Sequence, residues 1–275
     1  MTVIAMTREM GTLGKNVAAG LAETLGLEVI HHELVERHVA ERLHASESAV
    51  HRFLEGEATM WDRWKIDSKR LSHYSAEEIL ELAAKGNVII RGWGAAQLLS
   101  DVQHVICVRI HAPMQNRVDE MMQRLGISDR YAVQQEIMRN DDAHTSAIQR
   151  QFGMDWRNSA SYDVALNSAR IPIDACVQQV RLLAEHSAFM ETDESRAELQ
   201  DKLIEARVRT VLDTEIDDVP FGSALKMKVS KGKVTMSGII TDAGNHSLAI
   251  EKLHSVTGVT SVQDDVQIAK LQYGV

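Results

Sequence analysis

Apolar and polar positions follow two different rhythms along this chain. In the first two thirds, short unbroken apolar runs alternate with stretches of helical spacing. Val3-Ile4-Ala5-Met6, Val88-Ile89-Ile90, residues 104–110 and Val164-Ala165-Leu166 are the runs. Runs that short, bounded by turn signals, predict strands buried on both faces. Between them, Val17, Ala18, Leu21, Ala22 and Leu25 repeat at helical spacing, and so do Ile79, Leu80, Leu82 and Ala83 within a helix over 75–85. Further helices are predicted over 113–125, 132–150 and 173–185. Strands separated by helices imply a parallel sheet covered on both sides.

After residue 186 the rhythm changes. Residues 188–199 read as a linker running into a new helix, which is marked by Leu203, Ala206, Val208, Val211 and Leu212. Leu225-Lys226-Met227-Lys228-Val229 alternates cleanly, Lys231-Gly232-Lys233 turns, and residues 234–240 alternate again. A helix over 245–255, a helix-ending Gly258 and a last strand over 265–269 complete a small α/β sandwich. The predicted organisation is a first domain over 1–187, a linker over 188–199 and a second domain over 200–275.

Composition narrows the function classes. Of 275 residues, 44% are apolar but only 4% aromatic, so the cores must be aliphatic. A formal net charge of −9 disfavours a general nucleic-acid binder, which must neutralise many phosphates. Two cysteines, Cys107 and Cys176, lie in apolar runs and read as buried thiols. No stretch reaches membrane-spanning length, and the opening apolar run of about five residues is short for a signal peptide. The expected location is therefore the cytoplasm.

The candidate chemistry sits at the first strand–helix junction, Thr7-Arg8-Glu9-Met10-Gly11-Thr12-Leu13-Gly14-Lys15-Asn16. A glycine-bearing loop that opens a helix aims backbone N–H groups at one point, and such a point binds phosphate. Gly14-Lys15 fits the pattern G-x-x-x-x-G-K-[ST], but Glu9 replaces its first glycine and Asn16 its hydroxyl residue. A plain glycine turn is the alternative. The cluster His31-His32-Glu33-Leu34-Val35-Glu36-Arg37-His38 lacks the second histidine of a zinc-protease helix. It reads as a charged helix start, with a His32–Glu36 metal pair as the alternative. Trp61 and Trp64 can stack a base or pack locally.

Two resemblances follow from these motifs. The loop, Leu25-Gly26-Leu27, Gly92-Trp93-Gly94-Ala95, Ala112-Pro113-Met114-Gln115-Asn116-Arg117, Phe152-Gly153-Met154-Asp155-Trp156 and residues 162–168 resemble the cytidylate-kinase-like family of P-loop kinases over about the first 185 residues. Residues 227–266, with residues 232–238 and 258–262 as signature pieces, resemble a BON domain. The first resemblance implies a P-loop kinase-like parallel sheet and transfer of the ATP γ-phosphoryl group to CMP or a similar monophosphate. Gly11, Thr12, Leu13, Gly14, Lys15 and Asn16 would hold the donor phosphates, and Mg²⁺ would bridge them, with no residue assigned as a metal ligand. Lys15, Arg117 and Arg150 are the implied catalytic residues, since phosphoryl transfer needs positioning and charge neutralisation. This chain departs from the family pattern at Asn16, His31, Trp93 and His144. Arg91 stands one residue before the Gly92-Trp93-Gly94 turn, and on a strand a step of one residue places a side chain on the opposite face. The second resemblance implies a binding module for a protein or anionic lipid, with Lys226, Lys228, Lys231 and Lys233 as a basic patch. A catalytically weakened nucleotide-binding regulator is the alternative to a kinase.

Overall fold

The structure is a computed structural model that describes residues 1–54, 66–92, 94–215, 225–240 and 242–269, without the side chains of His32, Gln151 and Glu215. Trp61, Trp64, Trp93 and the side chain of a His32–Glu36 metal pair therefore lie outside the described residues.

The apolar runs form β1 (Val3–Arg8), β3 (Val88–Arg91), β4 (Val105–His111) and β5 (Val164–Asn167). A further strand, β2 (Glu28–Ile30), is too short and too polar to stand out in the pattern. The five are parallel, in the order β2-β3-β1-β4-β5, with Ala5 opposite both Ile90 and Cys107. Alternation within β1 feeds two cores. Val3 and Ala5 enter one, and Ile4 and Met6 the other.

Helices cover both faces. α1 (Gly14–Leu25) and α8 (Ile173–Ala184) supply Val17, Leu21, Cys176 and Val180 to the second core. The first core is closed by α2 (His32–Leu43), α3 (Glu47–Leu54), α4 (Ser68–Lys85) and the short α5 (Ala95–Leu99). α4 starts earlier than the apolar spacing suggested, because Asp67 caps it by accepting from the N–H groups of Lys69 and Arg70. α6 (Met114–Leu125) and α7 (Arg130–Phe152) pair through a small core of Val118, Met121, Val133 and Ile137.

The stretch expected as a linker is ordered differently. Its end is the start of α9 (Asp193–Glu215), a continuous helix of 23 residues. Leu199 is fully buried and Leu203 nearly so in the first domain's core, whereas Ile204, Val208 and Leu212 enter the second domain's core. One helix therefore serves both domains on different faces. Polar contacts reinforce the seam: Lys69 pairs with Asp213, His73 Nδ1 with Asp213 Oδ2 at 2.9 Å, Arg207 with Glu81 at 2.6 Å and Lys202 with Asp101 at 3.3 Å.

The second domain is a sheet of β6 (Leu225–Ser230), β7 (Lys233–Ile240) and β8 (Ser261–Ile268), with β6–β7 antiparallel and β7–β8 parallel. α9 and α10 (Ala243–Ser255) cover one face. α10 ends before Gly258, which lies in the turn that leads to β8. The hairpin glycine Gly232 has φ +74, and Asp201 of α9 accepts from its N–H at 2.8 Å and from that of Lys231 at 2.7 Å.

Candidate functional site

The loop between β1 and α1 has no side-chain cap at its helix start. Among the described residues, the N–H groups of Gly11, Leu13, Gly14 and Lys15 have no acceptor, while that of Thr12 bonds Glu9 O at 3.2 Å. These donors and the helix dipole form a positive end. Gly11 has φ +76, and a Cβ there would sit 2.5 Å from the carbonyl oxygen of Arg117, so only glycine fits. Thr12 is buried, its hydroxyl donating to Glu9 O at 2.8 Å, while Lys15 and Asn16 are exposed.

Lys15 opens onto a cleft of about 590 Å³ lined by Arg8, Lys15, His31, Glu33, Leu34, Arg37 and Arg91. Arg8 ends β1, Arg91 ends β3, and His31 follows β2. The cleft thus lies across the carboxyl ends of neighbouring strands, where open α/β sheets place ligands. Its lining carries four fixed cationic side chains and one carboxylate. Arg91 is only 7% exposed, and its Nη2 meets His31 Nδ1 at 3.0 Å. Its Nε has no protein partner, and burial pushes its pKa down against the pull of Glu33.

This position of Arg91 corrects the expectation from strand alternation. The cleft runs over the strand ends rather than against one face, so the last residue of β3 reaches it. Arg8, Arg37 and Arg91 were missed as site residues. Their one sequence signal is a cation at the end of an apolar run or in the first turns after β2.

The predicted arginines lie elsewhere. Arg117 is buried beneath the loop. Its Nε donates to Met10 O at 2.6 Å, and its two terminal nitrogens fork onto Asp141 at 2.8 and 2.7 Å. Arg150 is exposed on α7, with its Nε 3.3 Å from Ser146 O. It lines a second groove, of about 340 Å³, with Phe53, Lys69 and His73. Neither arginine lines the Lys15 cleft. Glu9 does not fill the loop either. Its carboxylate turns to Arg109 at 2.6 Å and to the N–H of Ala112 at 3.3 Å. His144 packs edge-on against the buried Trp156, with ring centroids 4.5 Å apart.

The histidine cluster resolves into bonds between helices. His38 Nδ1 meets Glu78 of α4 at 2.6 Å, and Glu36 meets His51 of α3 at 2.8 Å. In the second domain, the register places Lys226, Lys228 and Lys233 on the sheet face that α9 and α10 leave open.

The cytidylate kinase-like family model matches residues 3–170. The chain belongs to that family. A BON domain model matches residues 200–270. No curated protein matches the sequence. An uncharacterized protein from Eubacterium ventriosum shares the fold, with TM-score 0.54 and 19% identity over 67% of this chain and 98% of its own. A shikimate kinase from Bacteroides thetaiotaomicron matches with TM-score 0.42 and 15% identity, over 67% of this chain and 99% of its own. A gluconokinase from Sinorhizobium meliloti matches with TM-score 0.41 and 19% identity, over 67% and 94%. Among the described residues, no helix of this family member is long and apolar enough to cross a membrane.

Proposed function

We propose that this chain is a nucleotide kinase that transfers the ATP γ-phosphoryl group to CMP or a similar monophosphate. The observation that carries the reading is the cleft in which Lys15, at an uncapped helix start, faces Arg8, Arg37 and Arg91. Phosphoryl transfer runs on positioning and charge neutralisation, and a cleft with four fixed cations and one carboxylate supplies both. Gly11, Thr12, Leu13, Gly14, Lys15 and Asn16 would surround the donor phosphates, with Lys15 on their terminal oxygens. Arg91, buried and braced by His31, would hold the acceptor's anionic group, because its Nε is a donor without a protein partner.

Among the described residues, no group of three or more His, Cys, Asp or Glu is arranged to hold a metal. Glu33 is the carboxylate of the cleft lining, so a Mg²⁺ would be held by it together with the donor's own phosphates, with the Asn16 amide next to Lys15 in the chain as a further oxygen. When bound, Mg²⁺ supplies charge neutralisation on those phosphates.

A second reading is a nucleotide-binding regulator with weakened catalysis, whose BON domain binds a protein or lipid partner. It is favoured by the absence of Arg117 and Arg150 from the cleft lining. Full-length protein, Mg²⁺, γ-labelled ATP and a panel of monophosphates separate the two. Transfer to one monophosphate, abolished in Lys15→Ala, supports the kinase. ATP binding without transfer supports the regulator. Absence of ATP binding overturns both.

A further inference from the structure

The residue that breaks the phosphate-loop pattern, Glu9, stands at the centre of a buried charge network. Its Oε1 accepts from Arg109 Nη2 at 2.6 Å, and its Oε2 lies 3.5 Å from Arg117 Nη1. Arg117, 3% exposed, engages all three of its nitrogens: Nε on Met10 O, and Nη1 and Nη2 on Asp141. The carbonyl of the same residue is the surface against which Gly11 packs. Arg117 therefore touches the loop at Glu9, Met10 and Gly11.

A second limb leaves Glu9 through Arg109. The Arg109 guanidinium carbon lies 5.4 Å from the Trp156 ring centroid, and Trp156 Nε1 donates to Thr145 Oγ1 at 2.9 Å. Asp141 and Thr145 are one turn apart on α7, so both limbs end on one face of that helix. Two carboxylates and two guanidinium groups make the network neutral, and loss of one member strands a buried charge.

We propose that Arg117 is a positioning residue: with Glu9, Arg109 and Asp141 it sets the shape of the phosphate loop and couples that shape to α7. The fork onto Asp141 and the bond to Met10 O commit an N–H on each of its three nitrogens to the protein, and the side chain is buried outside the lining of the Lys15 cleft. Glu9 thus does for this loop by ion pairing what a glycine does elsewhere by fitting a tight turn. The positioning claim stands on geometry alone; its consequence for nucleotide affinity rests on the function proposed above.

The test is amide hydrogen exchange on the full chain, comparing wild type, Asp141→Asn, Glu9→Gln and, as an exposed control on α7, Arg150→Ala. In Asp141→Asn, the Thr12, Asn16 and Val17 amides should exchange at least about 10-fold faster, while β3 and β4 amides stay as in wild type. Asp141→Glu should restore part of the protection. Loop exchange unchanged in Asp141→Asn overturns the proposal, as does an equal acceleration in Arg150→Ala. Should Asp141→Asn fail to fold, Glu9→Gln, which keeps the side-chain shape, takes the same readout with the same outcomes. A parallel titration with Mg²⁺ and ATP should show affinity reduced about 10-fold in Asp141→Asn. Wild type that ignores ATP removes the nucleotide reading but leaves the exchange comparison decisive for positioning.

Discussion

Replacing Leu199 by Ala tests whether α9 belongs to the first domain. Leu199 lies beyond the boundary that the pattern of the chain suggests, yet it is 0% exposed within the core built on β1, β3 and β4. Truncating a fully buried leucine costs about 2–5 kcal/mol, as lost transfer energy plus the cavity left behind. Taking about 3 kcal/mol and a urea m-value of about 2 kcal/mol/M gives a midpoint lowered by about 1.5 M. The assay is selective, because all four tryptophans (Trp61, Trp64, Trp93 and Trp156) precede α9. Tryptophan fluorescence therefore reports the first domain. A linker residue would leave that midpoint where it is. A shift under about 0.3 M with an unchanged m-value would refute the shared-helix account. As a companion, Val234→Ala removes packing from the second domain's core, where Val234 is 0% exposed. It should move the same fluorescence midpoint only insofar as α9 makes the two domains unfold together.

Three further outcomes are expected. His104 is fully buried, with Nδ1 2.9 Å from Ser195 Oγ of α9, and burial lowers its pKa below 6.5 against the pull of Glu191, with the N-terminal ammonium and Arg196 adding to the lowering. Folding therefore favours neutral His104, so its contribution is present above pH 6.5 and lost as pH falls below it; denaturation midpoints from pH 7.5 to 5 should fall less in His104→Asn than in wild type. Burial, with Asp163 and Asp101 nearby, pushes the Cys107 thiol up to about 12, and burial also raises Cys176; native protein should resist thiol labelling at pH 8, and stoichiometric labelling without denaturant would contradict this. If the open face of the second sheet meets an anionic lipid surface, replacing Lys226, Lys228 and Lys233 together by Gln should weaken binding to anionic vesicles by about 1 kcal/mol per lysine; vesicle binding equal to wild type moves the partner to a protein.

What could be read from the sequence were the features set by local pattern. Unbroken apolar runs such as Val88-Ile89-Ile90 must be buried on both sides, so a parallel sheet followed. A glycine-bearing turn between strand and helix marked the loop that joins β1 to α1, and clean alternation around Lys231-Gly232-Lys233 marked the hairpin. Features set by long-range geometry were hidden. β2 has three residues and only one buried, so it exists because β3 offers it an edge. The sharing of α9 was invisible because two apolar faces wrapped around one helix blur its periodicity, and only the facing partners tell Leu203 from Ile204. The same holds at the site. Lys15 is marked by its neighbours in the chain, but Arg91 becomes a cleft residue only because β3 ends beside β1. Arg117 is drawn under the loop by Asp141, 24 residues away. Charge pairs are satisfied by proximity in space, which no spacing along the chain encodes; local pattern therefore marks the apolar strands, the long helices and the β1–α1 loop, while packing sets which cations face the cleft.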